Sequence, residues 1–388
     1  MMDGTMKKLP EDMRIYILLR LPVKSLTRFK CVTKSWHTLI QSFNFINFHL
    51  NRKSTTKDEF ILFRRSTKHP DGFSHVLSFL VDHEGKDSLV PICPDIDMPY
   101  LTTGFASSTS HQFTGPSNGL ILLTDSLNFL LLNPATRSYR LLPPNPFCCS
   151  RGFLRLIYGV GFGYDSIQKN YKVIRVSRVY GDPPYNDRSE MSWESEVYDS
   201  GTDSWRQLTN VDQELPGPYM HPYSELFYKG TFHWYAQGHM RLLLCFDINT
   251  ENFRTMQVPK TCAVRDEKCH SLVVFDESLT FICYPDPRRE SSPVQETIEI
   301  WIMQEYSVNE SWIKKYIIRP PPIESPLAIW KDRLLLLQDK SGDLIAYDLN
   351  LDEVKEFNLH GHPESLRVIV YKESLAPIPI GNTQVEKF

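Results

Sequence analysis

The sequence predicts a chain in two unequal regions, a small all-α segment over residues 1–50 and a large, mainly-β domain after it. Three observations carry this. Apolar residues between Leu9 and Leu39 recur at helical spacing. Beyond residue 51 the pattern changes to short strand-like runs separated by turn residues. Within this longer region a single hairpin unit recurs at a mean step near 54 residues.

The helical region begins at Pro10, which suits a helix start because its missing N–H is not needed there. Glu11 and Asp12 place negative charge at the positive end of the helix dipole. Met13, Ile17 and Leu21, with Leu18 beside them, form one apolar face. Pro22 must end or bend that helix, and Val23, Lys24, Ser25 and Leu26 make the next short turn. From Thr27 the spacing of Phe29, Val32, Trp36 and Leu39 is again helical, leaving Arg28, Lys30 and Lys34 outside. So few residues in short helices cannot bury that much apolar surface alone. The surplus must pack on the rest of the chain or dock on a partner.

In the β region the second half of the unit is an apolar strand, an Asp or Asn at a turn, and an aromatic or apolar residue six positions on. The copies are LLLNPATRSYRLLPP, VYDSGTDSWRQL, LLLCFDINTENFRTMQVP, MQEYSVNESWIKKY and IAYDLNLDEVKEF. Aligning Tyr139, Trp205, Phe253, Trp312 and Val354 gives steps of 66, 48, 59 and 42 residues. The first half appears as SNGLILL at 117–123, YKGTFHWYA at 228–236, FDESLTFICY at 275–284 and WKDRLLLLQ at 330–338. Asp or Asn caps a tight turn, and the later aromatic re-enters the sheet to pack between units. The period suits a four-stranded propeller blade, six in number within a range of five to seven. A β-sandwich with long insertions is the competing architecture.

Charge and cysteine usage narrow the class. Residues 1–50 hold eight Lys/Arg against three Asp/Glu, and the remainder 35 against 43, so the two regions have opposite sign. An acidic β domain disfavours nucleic acid and suits a basic partner. The eight Cys, at 31, 93, 148, 149, 245, 262, 269 and 283, fall mostly within apolar runs, and we expect them reduced and buried, without a disulfide or metal. No secretion signal or bilayer-length apolar run is expected, which points to a cytoplasmic protein.

Catalytic motifs are weak. There is no Cys-x-x-Cys pair, so a zinc or thioredoxin-like site is not expected. Cys262, Cys269 and His270 lack a second half at zinc spacing and read as structural. Gly159, Gly161 and Gly163 in YGVGFGYD precede a strand, which favours close backbone packing over a phosphate loop. His360 and His362 read as loop residues, and Trp234 as core between blades.

The ordered set Leu9-Pro10, Leu21-Pro22, Ser25-Leu26, Arg28, Cys31-Val32 and Trp36 resembles an F-box, the adaptor-docking helix bundle of SCF-type ubiquitin ligases. The resemblance implies that Leu9, Pro10, Ile17, Leu18, Leu21, Pro22, Ser25, Leu26, Cys31, Val32 and Trp36 form or support the face for a Skp-type adaptor, and through it cullin and RING subunits. The β region resembles a kelch-like propeller in the divergent form of plant F-box-associated domains, although it has neither a kelch-type Gly-Gly pair nor a Trp-Asp dipeptide. The boundaries are then 1–50 for the F-box, 51–376 for the propeller and 377–388 for a C-terminal tail. Stretches such as NPATRSYRLLPP, GVGFGYD, TDSWRQL and YDLNLDEVKEFNLHGHPESLRVIVYKESL make the chain similar to S-locus F-box proteins of pollen self-incompatibility or close relatives. That likeness implies a non-catalytic, cofactor-free substrate receptor whose propeller takes basic style ribonucleases for ubiquitination. A propeller enzyme or lectin with a small ligand in its channel is the alternative from another class.

One stretch fits such a basic ligand. Between Gly181 and Glu214 stand nine acidic residues against Arg188 and Arg206. We place Asp182, Asp187, Glu190, Glu194 and Glu196 of that run at the ligand face, where charge sets encounter rate and partner choice.

Overall fold

The computed structural model describes residues 10–52, 59–69, 72–83, 85–97, 112–124, 128–147, 154–181, 192–209, 225–237, 241–260, 262, 268–288, 297–362, 365–381 and 384–387. Four short helices come first: α1 (Glu11–Leu18), α2 (Val23–Phe29), α3 (Lys34–Gln41) and α4 (Phe43–Asn51). Pro10 and Pro22 cap the first two, as their fixed φ and missing N–H favour. The single helix expected from Thr27 to Leu39 is in fact two. Thr33 takes an extended conformation and its hydroxyl accepts from Trp36 N at 3.1 Å, so it caps α3 and leaves Val32 in the break. Ser42 repeats the device at Phe45 N to start α4.

Six antiparallel sheets then follow one another around an axis. The first joins Arg367–Lys372 to Glu59–His69, Gly72–Asp82 and Leu89–Pro91, with Ile96–Asp97 also on Gly72–Asp82. The second runs Gln112–Ser117, Leu120–Thr124, Phe129–Asn133 and Ser138–Leu141, with Glu386–Lys387 added at its edge. The third is Leu154–Asp165, Asn170–Tyr180, Ser192–Asp199 and Ser204–Gln207; the fourth is Glu225–Tyr228, Thr231–Gln237, Arg241–Asp247 and Phe253–Gln257. Lys268–Phe275, Ser278–Pro285, Ile298–Met303 and Trp312–Ile318 make the fifth, and Ile323–Trp330, Leu334–Asp339, Asp343–Asp348 and Glu353–His360 the sixth. First strands of adjacent sheets lie side by side around the centre, so this is a six-bladed propeller and not a sandwich. The ring closes where Glu59–His69 pairs Arg367–Lys372, with Glu59 opposite Lys372 and Phe63 opposite Val368. The tail is not free: Ile378 is buried between the second and third blades, and Glu386 pairs with Tyr139.

The two halves of the sequence repeat are two kinds of hairpin. The first-half copies join first to second strands, using left-handed residues such as Asn118-Gly119 and Lys229-Gly230 in two-residue turns. Four of the second-half copies join third to fourth strands through one loop form, in which Asn133, Asp199, Asp247 or Asp348 accepts loop N–H groups and a left-handed residue follows four positions on, at Arg137, Asp203, Glu251 and Asp352. The copy at MQEYSVNESW departs, closing through a one-turn 3-10 helix at Asn309–Ser311. The returning aromatics cross to the preceding blade. Trp205 lies 4.9 Å from Phe129 and donates to Pro143 O, and Trp312 donates to Gln257 O.

Each gap between blades holds its own apolar cluster, six in all among the described residues, and a seventh lies in the helical bundle. Trp234 is buried between the third and fourth blades as expected. Gly161 and Gly163 of YGVGFGYD serve the same gap: a Cβ on Gly161 would sit 2.7 Å from both Phe232 and Ile174. The eight-thiol expectation is corrected at one pair. Cys262 N donates to Pro259 O, and Cys262 bonds to Cys283 on the fifth blade's second strand with Cα atoms 6.8 Å apart. A separation of 21 residues gave no hint of that approach. Cys245 and Cys269 are buried thiols, their pKa pushed up by burial to about 12.

Charged groups also tie the gaps. Asp87, in the hairpin after Gly72–Asp82, receives Lys331 at 2.8 Å, Lys355 at 2.7 Å and Arg333 from the sixth blade. Burial pushes its carboxyl up, but hydrogen bonds from Lys331, Lys355 and Arg333 outweigh this and hold it well below the usual carboxylate range. With the folded-state value depressed, the stabilisation is full above the ordinary carboxylate pKa of about 4 and is lost as pH falls below it. Two outcomes are expected. Asp87→Asn lowers stability by about 3 kcal/mol at neutral pH, and the gap to the native protein narrows in urea titrations below about pH 4; a pH-independent gap would count against the ion-pair account. Gly161→Ala costs about 1–3 kcal/mol through overpacking, read from the same titrations.

Candidate functional site: two protein-binding faces

Helices α1 to α4 rest on one end of the propeller. Leu18, Val23, Leu26, Ile40 and Phe45 pack together with Leu375, which follows the closing strand. The amide of Val23 donates to Glu373 at 3.0 Å, Lys372 donates to Arg52 O, and Lys169 lies 5.7 Å from the Phe43 ring. Gly119 permits the approach of the chain beneath: its φ is +78°, and a Cβ there would meet Ser374 at 2.1 Å.

The residues expected to serve an adaptor divide by exposure. Leu18 and Leu26 are core, and Leu21, Ser25 and Trp36 are half-buried, with Trp36 5.3 Å from Phe29. Pro10, Pro22 and Cys31 are exposed, as are Ile17 at 46% and Val32 at 59%. Leu9 lies outside the described residues. Next to Ile17 on α1, Met13 and Tyr16 are also exposed at one-turn spacing. Tyr16 escaped the sequence reading because an isolated Tyr in a short helix carries no periodic signal of its own.

Strand direction fixes the other face. Inner strand Gln112–Ser117 runs toward the Asn118-Gly119 turn beneath the bundle, so first-to-second and third-to-fourth hairpins open on the bundle side. The strand ends Tyr180 and Ser192 therefore lie at the opposite end. Asp182, Asp187 and Glu190 lie outside the described residues. Glu194 is half-buried and paired with Arg155. Glu196, expected at the ligand face, is instead fully buried, holding Arg155 and, at 2.9 Å, Arg175. Arg155 and Arg175 lie on neighbouring strands in positions that no sequence period reveals.

The axis holds a cavity of about 490 Å³, lined by apolar side chains such as Phe113, Leu226, Leu327 and Val368 and by Glu59, Glu225, Lys331, Asp332 and Arg367. Among the described residues no group of three His, Cys, Asp or Glu side chains is placed to hold a metal ion. His360 instead faces Asp343 at 3.1 Å, and His362 N donates to Ser66 O. No helix among them is long and apolar enough to cross a membrane.

Comparison with known families agrees with this architecture. The F-box domain matches residues 6–48, and the F-box associated beta propeller domain matches residues 74–378. The chain belongs to the F-box proteins that carry an associated propeller. Its relatives include the Arabidopsis thaliana F-box protein CPR1, 26% identical over 95% of this chain and 89% of that protein. F-box protein At3g07870 of the same plant is 27% identical over 96% and 93%. Among solved structures, an oligogalacturonate lyase in complex with manganese overlays with a TM-score of 0.41 at 12% identity, covering 76% of this chain and 78% of that one. Members of the F-box family are generally non-catalytic adaptors that bind Skp-type subunits of SCF complexes.

The division by exposure gives a contrast between fold and docking. Leu26→Ala is expected to lower stability by about 2–5 kcal/mol, because it empties a fully buried site. Ile17→Asp is expected to leave the melting temperature near native while abolishing co-purification with a Skp-type adaptor. Retained adaptor binding by folded Ile17→Asp would remove α1 from the interface.

Proposed function

We propose that this chain is a non-catalytic substrate receptor of an SCF-type ubiquitin ligase in the cytoplasm. The helical bundle takes the Skp-type adaptor, and through it the cullin and RING subunits, by way of the set from Leu9 to Trp36 given above. The observation that carries this reading is the placing of the bundle on one end of the ring, with Ile17 and Val32 exposed on it; the far end would then take a second protein. A propeller so held presents its substrate at a fixed distance from the rest of the ligase. The substrate we propose is a basic style ribonuclease, delivered to the proteasome in pollen self-incompatibility. Supporting it are the whole-chain likeness to S-locus F-box proteins and the acids Asp182, Asp187 and Glu190 in the stretch between Gly181 and Ser192. Acidic side chains there would raise the encounter rate with a basic partner, more so at low salt.

The test is co-purification of the chain with a panel of basic style ribonucleases, followed by association rates at low and moderate salt. One or more should bind, with a rate that falls steeply as salt rises. Asp182→Asn, Asp187→Asn and Glu190→Gln combined should flatten that slope. Equal rates and slopes for the two proteins would take the acidic loop out of recognition, and failure of the whole panel would direct the receptor to another substrate.

A further inference from the structure

The third blade has strands that overrun the ring. Its inner strand has 12 residues and the next 11, whereas the inner strands on either side, Gln112–Ser117 and Glu225–Tyr228, have 6 and 4. The surplus forms a three-stranded arm at the end away from the bundle, set off by a bulge at Tyr158, which has no partner between Val176 and Ser177. Leu154 pairs with Tyr180, Leu156 with Arg178, and Arg178 with Trp193, so all five side chains share one side of the arm. The reverse side carries Arg155, Ile157 and Glu194 into the blade's ion pairs and core.

That outer side has an uncommon composition. Leu154 and Leu156 are 38% and 37% exposed. The Arg178 guanidinium sits 5.0 Å from the Trp193 ring and 5.8 Å from that of Tyr180. Tyr158 meets Trp193 edge-on at 5.2 Å, and its hydroxyl is 2.7 Å from that of Tyr180, which fixes both rings. Among the described residues Arg178 makes no ion pair, and its buried Nε has no hydrogen-bond partner. A half-buried guanidinium beside two rings, without an ion pair among the described residues, is a ready fork for a carboxylate. A purely apolar contact there would bury that charge unpaired, and a cationic side chain placed against it would be repelled. Tyr, Trp and Arg grouped beside exposed leucines are also what binding hot spots are made of.

We infer that this arm is a docking site for an extended segment of a partner protein that presents one acidic side chain to Arg178 and apolar side chains to Leu154 and Leu156. The inference rests on the substrate-receptor reading and adds the chemistry of one contact. Alternate residues of an extended chain face one side, so the segment needs apolar, acidic and apolar residues two apart.

The probe is the fluorescent peptide Ser-Leu-Thr-Asp-Thr-Leu-Ser, capped at both ends, with analogues carrying Asn or Lys in place of Asp. Anisotropy is measured with the full chain, alone and co-purified with a Skp-type adaptor. The Asp peptide should bind about tenfold more tightly than the Asn peptide, as a charge-assisted pair provides. Arg178→Gln should erase that preference without moving the melting temperature, and the exposed Leu156→Ser should weaken binding of the Asp and Asn peptides alike. Should Arg178→Gln fail to fold, Arg178→Lys serves, and a smaller preference is expected because the fork is gone. Equal binding of the Asp and Asn peptides, preference for Lys, or a preference surviving in Arg178→Gln would overturn the inference. So would a concentration-dependent dimer broken by Leu156→Ser, which would assign the arm to a second copy. Loss of adaptor binding by the native chain would instead strike the receptor reading, leaving the peptide result to decide the arm by itself.

Discussion

The pairing of Glu59–His69 with Arg367–Lys372 is the constraint on which the rest of this molecule depends. It unites the two ends of the β domain in one sheet, so the ring has no open gap and the apolar clusters on both sides of the first blade are completed by distant sequence. The residues just beyond that strand, Glu373 and Leu375, are also the ones that seat the helical bundle. Closure of the ring and placement of the bundle are thus one structural event. A substitution that loosens the closing strand should shift the bundle as well as open the first blade.

Charge is used differently at the two levels of this structure. Inside, carboxylates are committed to partners: Asp87 to three cations, Glu196 to two arginines, and Asp165 to Lys172 at 2.7 Å, with Glu251 reaching the same ammonium. Such groups cannot double as ligand contacts without stranding a buried charge, at a cost of several kcal/mol in the ring itself (about 3–5). Glu196 is therefore better understood as the support that holds Arg155 and Arg175 within the third blade than as a member of a recognition surface. The acidity of the β domain overstates what a partner meets, because some of it is neutralised internally.

The hairpins were the legible feature of the sequence. Asp or Asn at a turn with an aromatic or apolar residue six positions on is a local signal, since side chain and backbone within one loop settle the geometry, and it marked four third-to-fourth hairpins. The same loop form also joins the third blade's first two strands, from Asp165 to Tyr171 with Lys169 left-handed, where the sequence reading saw only glycines and a strand. Non-local features were not legible. The Cys262–Cys283 bond, the closing strand and the burial of Glu196 all depend on which blade lies beside which. The α2–α3 break was missed for another reason: Val32 falls at helical spacing between Phe29 and Trp36, and apolar period outweighed the capping chemistry of Thr33. The residues expected to serve an adaptor divide between core and surface, because an apolar period gives a face without saying whether chain or partner covers it.

The third blade joins these threads. Its inner strand is thin where Gly161 and Gly163 let the fourth blade press close, and it overruns the ring where Leu154 and Leu156 stand clear. The same strand thus provides anchorage at one end and free surface at the other. An arm held by internal ion pairs on its reverse side loses little conformational freedom when something binds its outer side, and that preorganisation favours affinity. Its outer side bears a cation, while the stretch that joins Tyr180 to Ser192 is rich in acids. Opposite charges so near each other in sequence suit a partner with both signs on one surface, such as a basic protein presenting a carboxylate among its lysines. Mixed-sign contacts reject partners of either uniform charge, and that kind of exclusion is how closely related receptors can divide a set of similar substrates among themselves.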